Sequence, residues 1–339
     1  MPDLQLTLAM SRYDRILPLA TGEVKPQGIA VEYVGFPGGV GVFYEQHKFS
    51  LYDISEMSFA TFIAARARGW GYQLLPIFHN RNFKHARDIL VRAETDIHGP
   101  QDLKGKTIGC PEYHQSAAVW ARGILQHEFG IKPEDMVWYQ DRPPEFSHNY
   151  VGASRDVDIR FKYAHKGLEQ MLIDKELDAC LTSPGTYRID RPKIHADLTT
   201  HPLVKMRTVF PDPKAESIRY FKKTGIFPPH HVTVVRESIV QKHPWVATSL
   251  LDAFEKAKKI AMERFSSRPP SLLMFGPELL KEQRATFGDD PYAYGVRANA
   301  KALDTFQNFC VEQGLIEKKL PLETIYPEEI LLAERRLLD

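Results

Sequence analysis

The sequence has few of the features that mark secreted, membrane-spanning or nucleic-acid-binding proteins. Its three cysteines in 339 residues are an odd number at wide spacing, which predicts buried free thiols rather than disulfides or a metal cluster. The formal net charge is +1, so no general attraction to nucleic acid is expected. No stretch approaches the ~18 apolar residues of a membrane span, and residues 1–10 lack the basic start and apolar core of a signal peptide. These absences predict a cytoplasmic protein with no nucleic-acid or membrane partner.

Strand and helix patterns alternate along most of the chain. Such alternation is typical of α/β proteins, in which helices connect the strands of a sheet. The patterns predict strands at 4–10, 29–34, 52–57, 73–78, 89–92, 107–110, 136–139, 177–182 and 232–235, and helices at 14–20, 42–48, 59–68, 117–128, 167–175, 243–265 and 299–313.

A change of character after the fifth strand indicates two lobes. Residues 93–100 are polar and contain Gly99-Pro100, and a fresh α/β pattern follows. We therefore predict a discontinuous lobe I from residues 1–95 and 232–339, and lobe II from residues 96–231. The ligand is expected in the cleft between them, at the carboxyl ends of the strands.

Histidine is abundant, with thirteen copies, and two of them stand at the edges of predicted strands. His231 opens a β-branched run after a Pro-Pro pair, and His85 lies in a basic segment just before the strand at 89–92. Imidazole has an unperturbed pKa of ~6.5, so it can donate or accept a proton near neutrality. We predict both as proton-transfer residues, the alternative being packed histidines bonded to backbone. Neighbouring residues alternate across a strand, so His230 is predicted to be a bystander.

Motifs along nearly the whole chain, in matching order, resemble those of the 4,5-dihydroxyphthalate decarboxylase family. They include Tyr13-Asp14-Arg15, residues 53–58, Pro76-Ile77-Phe78, residues 81–85, Pro111-Glu112-Tyr113, residues 118–123, residues 224–228 with His231, and Tyr294-Gly295-Val296 with Asn299. The resemblance implies a type II periplasmic-binding-protein-like fold, with two α/β lobes and mixed sheets around a central cleft, in a cytoplasmic homo-oligomeric enzyme. His230 and the expanded segment 144–158 depart from the family pattern, which leaves the ring substituents of the substrate open.

The resemblance implies a carboxy-lyase that converts 4,5-dihydroxyphthalate to 3,4-dihydroxybenzoate and CO2 without oxidation. The ring carbon must be protonated and the anionic substrate must be clamped. A ring hydroxyl supplies electron density, so no organic cofactor is expected. We predict His85, His231 and Glu112 as the catalytic residues. Arginine binds carboxylates with a planar fork, so Arg12, Arg81 and Arg122 are the candidate clamps.

The remaining candidates each have an alternative interpretation. Ser58 and Ser116 are predicted to cap helices whose first N–H groups face an anion, or to be caps only. Asp14 is a loop carboxylate that could orient an imidazole, and Tyr292 and Tyr294 suit either a ring-binding wall or the core. A divalent metal on His85, His231 and Glu112 stays open, although no specific ligand spacing supports it.

Two classes of function remain in competition. The favoured one is an aromatic-acid decarboxylase acting on a small aromatic carboxylate, or a related lyase or hydrolase on another hydroxylated aromatic acid. The other is a non-catalytic solute-binding protein of the same fold, for an aromatic or pyrimidine-like ligand. Turnover discriminates them, since a binding protein releases no CO2.

Overall fold

The computed structural model describes residues 3–36, 40–143, 161–181, 205–267 and 273–336. In these ranges the strands are β1 Leu4–Ser11, β2 Ile29–Phe36, β3 Ile54–Ser58, β4 Tyr72–Arg81, β5 Ile89–Arg92, β6 Thr107–Cys110, β7 Val137–Gln140, β8 Phe161–Tyr163, β9 Ala179–Leu181, β10 Met206–Thr208 and β11 Pro229–Arg236. The expanded segment at 144–158 and residues 37–39, which belong to the glycine-rich stretch 35–41, lie outside the described residues.

The helices pack around these strands. They are α1 Leu17–Ala20, α2 Val40–Phe49, α3 Phe59–Arg66, α4 Lys84–Arg87, α5 Ser116–Phe129, α6 Leu168–Ile173, α7 Pro213–Thr224, α8 Glu237–Lys242, α9 Trp245–Ser267, α10 Gly276–Phe287, α11 Val296–Glu312, α12 Leu322–Ile325 and α13 Glu328–Arg336, with 3-10 turns at Asp14–Ile16, Pro100–Leu103 and Pro133–Asp135. No described helix is both long enough and apolar enough to cross a membrane.

The first sheet has the strand order β2-β1-β3-β11-β4. β1 pairs in parallel with β2 and β3, whereas β11 runs antiparallel to both β3 and β4. The carboxyl ends of β1–β4 and the amino end of β11 therefore meet at one edge of this sheet. Side chains that leave these strand ends can converge on one ligand, as is typical of open α/β sheets.

The second sheet has the order β10-β5-β9-β6-β7-β8. Its strands β9, β6, β7 and β8 are parallel, and β5 pairs antiparallel with both β9 and β10. The α/β prediction with mixed sheets is thus confirmed.

One strand assignment at the lobe boundary is wrong. Ile89–Arg92, predicted to close lobe I before residue 96, is β5 of the second sheet. The chain crosses through the single helical turn of α4 and returns before β11, which begins at Pro229 rather than after 231. A short apolar strand pattern records burial but not which sheet its backbone joins, so sequence alone could not place this crossing.

Buried apolar side chains pack each sheet against the helices that cover it. The largest cluster of buried side chains joins the first sheet to α3, α9 and α11 and includes Trp120 from α5 of the second lobe. Two smaller clusters cover the faces of the second sheet. All three cysteines are buried free thiols, as the sequence predicted. Because α5 joins the main core, the second lobe is anchored on the first next to the proposed cleft.

The packing of α5 against α11 leaves no room for a side chain at Gly123. A Cβ there would overlap the ring of Phe309, which is itself held between Trp120 and His127. Alanine gains about 1 kcal/mol of helix propensity over glycine, but overpacking costs ~1–3 kcal/mol and sometimes more. We expect Gly123→Ala to lower the melting temperature by several degrees, measured by calorimetry.

A matched control is Gly71→Ala. A Cβ at Gly71 meets no heavy atom within 4 Å, and its backbone lies outside the left-handed region. Its free energy of unfolding should change by no more than ~0.5 kcal/mol. Equal effects of the two substitutions would contradict tight packing at Gly123.

Candidate active site

A cavity of about 640 Å³ opens at the edge of the first sheet where the strand ends meet. This volume lies within the ~300–1,000 Å³ typical of small-molecule sites. Residues from the ends of four strands line it: Ser11, Arg12, Tyr13, Gly35, Phe36, Asn80 and His231. The cavity therefore contains two of the sequence-predicted site residues, Arg12 and His231.

His231 is bonded to a buried carboxylate on the neighbouring strand. Its Nδ1 lies 2.5 Å from Oε1 of Glu56, and the Glu56 side chain is fully buried. A carboxylate only accepts hydrogen bonds, so Nδ1 carries the hydrogen and Nε2 is left to exchange a proton. Phe43 packs edge-on against the imidazole ring, with centroids 4.8 Å apart. The ring is thus fixed by one charge and one aromatic contact.

Glu56 accepts two further hydrogen bonds. The Tyr13 hydroxyl donates to the same Oε1 at 2.5 Å, and the Ser11 backbone N–H donates to Oε2 at 2.8 Å. Burial acts to raise the pKa of Glu56, but the hydrogen bond and charge of His231, with Tyr13, outweigh it and lower the pKa to about 2. The carboxylate is therefore ionised at neutral pH.

Asn80 completes the surroundings of the imidazole. Its Nδ2 lies 3.2 Å from His231 Nε2 and donates to that nitrogen when it carries no hydrogen. The Asn80 backbone has a φ of 43°, in the left-handed region that asparagine tolerates better than most residues. The pairing of β4 with β11 shifts just upstream, where Val232 pairs with Phe78 and Thr233 with Leu75. Irregular backbone of this kind often aims side chains at functional sites. Here it brings the amide to the nitrogen that faces the cavity.

Arg12 supplies the exposed positive charge of the cavity. It directly follows β1, and within the part of the chain that the structure describes no carboxylate pairs with its guanidinium. A Cβ on Gly35 would lie 3.0 Å from Arg12 Nε and 3.1 Å from the Tyr33 ring. The absence of a side chain at Gly35 therefore makes space for the guanidinium, which is free to bind an anionic substrate.

Ser58 and Ser116 meet where the two lobes touch. Their hydroxyl oxygens are 2.8 Å apart, and Ser116 Oγ accepts the Ala60 N–H of α3 at 2.9 Å. Ser58 holds the predicted N-cap position without a side-chain cap bond, whereas Ser116 is the first residue of α5 rather than its cap. His231 pairs directly with Ser58 across the sheet. Both helix starts are thus next to the imidazole strand, but Ser58 and Ser116 do not line the cavity.

His85 lies away from this cavity. It is buried in α4, and its Nε2 is 3.2 Å from Glu216 of α7. Burial lowers its pKa, against the opposing effect of Glu216. In this structure His85 is therefore a packed, paired histidine, the alternative that the sequence allowed, and its catalytic role stays a prediction.

Glu112 also bonds to a partner outside the cavity. It forms a buried ion pair with Arg142, so it neither orients His231 nor joins His85. Among the described residues, no three histidine, cysteine, aspartate or glutamate side chains converge to hold a metal ion. The candidate ligand set of His85, His231 and Glu112 is not brought together.

Two of the three candidate clamps turn inward. Arg81 donates to the carbonyl of Phe227 at 2.8 Å and to Asn299 Oδ1. Arg122 is fully buried, stacks on the Tyr113 ring at 3.6 Å and bonds Gln313. Both guanidinium groups join separate chain segments, and Arg12 is the candidate clamp that lines the cavity.

The other candidates lie beside the cavity rather than in it. Asp14 is exposed and accepts the Arg15 N–H at 2.7 Å at the start of a 3-10 turn. Tyr292 stacks on Arg15 at 4.1 Å, and Tyr294 is buried. Neither tyrosine lines the cavity, and Tyr292 instead lines a smaller cavity together with Asp14 and Arg15. His230 is buried and its Nε2 donates to the Asn82 carbonyl at 2.9 Å, consistent with the predicted bystander.

No role was predicted from the sequence for Glu56, Tyr13 or Asn80. A signal for Glu56 was present, because it is the only acidic residue in the strand Ile54–Ser58, whose residues are all buried. An acidic side chain in such a strand needs a partner, and pairing with a strand that begins with two histidines would have supplied one. No comparable signal marks Tyr13 or Asn80.

Comparison with known proteins identifies close relatives in sequence. A curated 4,5-dihydroxyphthalate decarboxylase from Comamonas testosteroni is 31% identical over 338 residues, covering 97% of this chain and 98% of the relative. A second protein of that name, from Pseudomonas putida, is 30% identical over 200 residues, covering 57% of this chain and 77% of the relative. No family model matches the chain.

Solved structures share the fold at low sequence identity. The periplasmic aliphatic sulphonate binding protein SsuA from Escherichia coli superposes with a TM-score of 0.53 at 13% identity, over 96% of this chain and 92% of that protein. The desulfurization enzyme DSZB gives a TM-score of 0.52 at 14% identity, over 98% and 99% of the two chains. These matches confirm the predicted periplasmic-binding-protein-like fold. The near full-length match to the Comamonas testosteroni relative, at 31% identity, shows that this chain belongs to the 4,5-dihydroxyphthalate decarboxylase family.

Proposed function

We propose that the protein is a non-oxidative carboxy-lyase that converts 4,5-dihydroxyphthalate to 3,4-dihydroxybenzoate and CO2. The substrate follows from the names of the family relatives. The observation that carries the proposal is the buried Glu56 bonded to His231 at the wall of a cavity large enough for an aromatic diacid. This pair is suited to delivering a proton to a bound ring.

The chemical step needs one proton and no oxidant. Doubly protonated His231 gives its Nε2 proton to the ring carbon that carries the departing carboxylate, and a ring hydroxyl supplies the electron pair for the new C–H bond. The C–C bond to the carboxylate then breaks, its electrons restore the aromatic ring, and CO2 leaves. His231 regains a proton from solvent. General acid catalysis of this kind contributes roughly 10²–10⁴-fold to the rate.

Glu56 and Arg12 have separate tasks in this scheme. Glu56 holds the imidazole in one orientation and balances its charge while both nitrogens are protonated. Arg12 binds a carboxylate of the substrate and so fixes the ring relative to His231 Nε2. The scheme uses no organic cofactor, because the ring itself accepts the electron pair of the breaking C–C bond and no external electron acceptor is needed.

The proposal is tested by following CO2 and 3,4-dihydroxybenzoate during incubation of the purified protein with 4,5-dihydroxyphthalate. One molecule of each per substrate consumed is expected. A thermal shift with this compound but no CO2 would instead support the solute-binding alternative. A parallel assay after treatment with a chelator tests the open question of a divalent metal, since loss of activity that added metal restores would require a metal-dependent step.

Arg12→Gln is expected to raise the KM for 4,5-dihydroxyphthalate by about 10- to 100-fold. A hydrogen bond to a charged group is worth ~1.5–3 kcal/mol, and each 1.4 kcal/mol corresponds to about tenfold in binding. Steady-state kinetics checks this, with the exposed Arg335→Gln as control.

Gly35→Ala gives a second test of the same contact. A Cβ at this position would displace the Arg12 guanidinium, so KM should rise in the same direction while the fold is retained. An unchanged KM in both variants would contradict the assignment of Arg12 as the carboxylate clamp.

A further inference from the structure

We infer that Tyr13 is a positioning residue that controls how tightly His231 holds its proton. Tyr13 does so by donating its hydroxyl hydrogen to the same Glu56 oxygen that His231 uses. The consequence for catalysis rests on the proposed function, but the proton equilibrium of His231 does not.

The geometry places three polar atoms around one oxygen. Oε1 of Glu56 lies 2.5 Å from the Tyr13 hydroxyl and 2.5 Å from His231 Nδ1. The hydroxyl and Nδ1 are themselves 3.3 Å apart. Both donors therefore draw on the negative charge of a single atom. A stronger bond from Tyr13 leaves less of that charge to stabilise the imidazolium.

The Tyr13 ring is held so that its hydroxyl stays on Glu56. His79 stacks on it with a centroid separation of 5.0 Å and an interplanar angle of 6°. His79 is fixed in turn by a 2.8 Å bond from its Nε2 to Thr233 Oγ1 on β11. The Arg15 guanidinium lies 5.1 Å from the centre of the Tyr13 ring. Stacking on a buried ring limits the freedom of the phenol to swing into the cavity.

Glu56 is the carboxylate that is bonded to His231, and the other groups near the imidazole are neutral or cationic. The titratable and charged groups near the imidazole are Glu56 from β3, Tyr13 and Arg12 after β1, His79 from β4, and His230 on its own strand. Burial lowers the pKa of His79 to about 3 and that of His230 well below its ordinary value, so both are neutral. Burial and the charge of Glu56 raise the pKa of Tyr13, so the phenol keeps its hydrogen.

The sign of the effect follows from this arrangement. Without the Tyr13 hydroxyl, Oε1 carries more negative charge toward His231, and the doubly protonated imidazole becomes more stable. His231 then releases its proton at higher pH and is a weaker acid toward the ring. Tyr13 thereby makes His231 a better proton donor at a given pH.

The test is an NMR titration of protein labelled with ¹⁵N-histidine. The His231 signal is assigned as the one missing from His231→Gln. In Tyr13→Phe, the midpoint of the His231 titration should move up by about 0.5–1 pH unit, because the imidazolium gains the part of the Oε1 charge that the Tyr13 hydroxyl had used. The pH dependence of kcat should move in the same direction.

Two further variants separate this effect from general perturbation. Tyr52→Phe removes a tyrosine that donates to another carboxylate, Glu45, at 2.7 Å, and should leave the midpoint unchanged. Incorporation of 3-fluorotyrosine at position 13, a stronger donor of nearly the same size, should move the midpoint down even if Tyr13→Phe does not fold. An unmoved midpoint in the folded Tyr13 variants, or an equal shift in Tyr52→Phe, would overturn the inference. Loss of CO2 release with the expected midpoint shifts would leave it standing.

Discussion

His231→Ala is expected to lower kcat for CO2 release by about 10²–10⁴-fold, the usual contribution of a general acid. The substitution removes the nitrogen that faces the cavity and leaves Glu56 without its cationic partner. Binding of 4,5-dihydroxyphthalate should persist, because Arg12 and the cavity walls remain. Single-turnover CO2 release together with calorimetric binding measures the two effects separately.

The matched control is His98→Ala, because His98 is exposed and lies before the 3-10 turn at 100–103, outside the cavity. It should retain kcat within a factor of about two, as expected for a surface substitution. Retention of kcat in His231→Ala would remove the proposed proton donor. An equal loss in His98→Ala would point to general destabilisation instead.

Glu56→Gln is expected to lower kcat by roughly 10²-fold or more, because the imidazole loses its charge partner. Glutamine is nearly isosteric, so the fold should be retained. Glu56→Ala should in addition lower the free energy of unfolding by about 3–5 kcal/mol, as is typical when one member of a buried ion pair is removed. It leaves donors on Ser11, Tyr13 and His231 without their acceptor.

The stability difference should depend on pH in a defined direction. The pKa of Glu56 is about 2 in the folded protein, against an ordinary value of 4.5. Its ionised form therefore stabilises the fold fully above about pH 4.5, and this contribution is lost as pH falls toward 2. The difference in unfolding free energy between wild type and Glu56→Gln should shrink over that range in urea titrations at several pH values. Glu32→Gln, an exposed change on β2, should show no such trend. A constant difference for Glu56→Gln would contradict the buried ion pair.

Sequence periodicity located many of the strands and helices because burial imposes it directly, but it predicted no element at β8, β10 or α7. The strands at 89–92 and 107–110 coincide with β5 and β6, and the helix predicted to end before Gly130 does so with a φ of 67° at that residue. The strand β5 was predicted in the wrong lobe, which shows that periodicity does not determine which sheet a strand joins. Pairing partners depend on backbone hydrogen bonds to distant strands, and the local apolar pattern carries no information on them.

The candidate site was recoverable only in part, for a related physical reason. His231 and Arg12 could be chosen because strand ends point side chains into a cleft. Three other charged candidates bond to other parts of the chain instead: Arg81, Arg122 and Glu112. A charged residue in sequence does not reveal whether its partner is a substrate or another segment of the chain. The family resemblance supplied the proposed chemistry, and the structure shows which of the candidate residues line the cavity.

The most direct measurement is the structure of the complex of His231→Ala with 4,5-dihydroxyphthalate. Superposing the wild-type imidazole should place its Nε2 about 3–3.5 Å from a carboxylate-bearing ring carbon, with a substrate carboxylate on Arg12. A ligand bound instead in the smaller cavity beside Arg15 and Tyr292, or with its carboxylated carbons out of reach of position 231, would contradict the proposed mechanism.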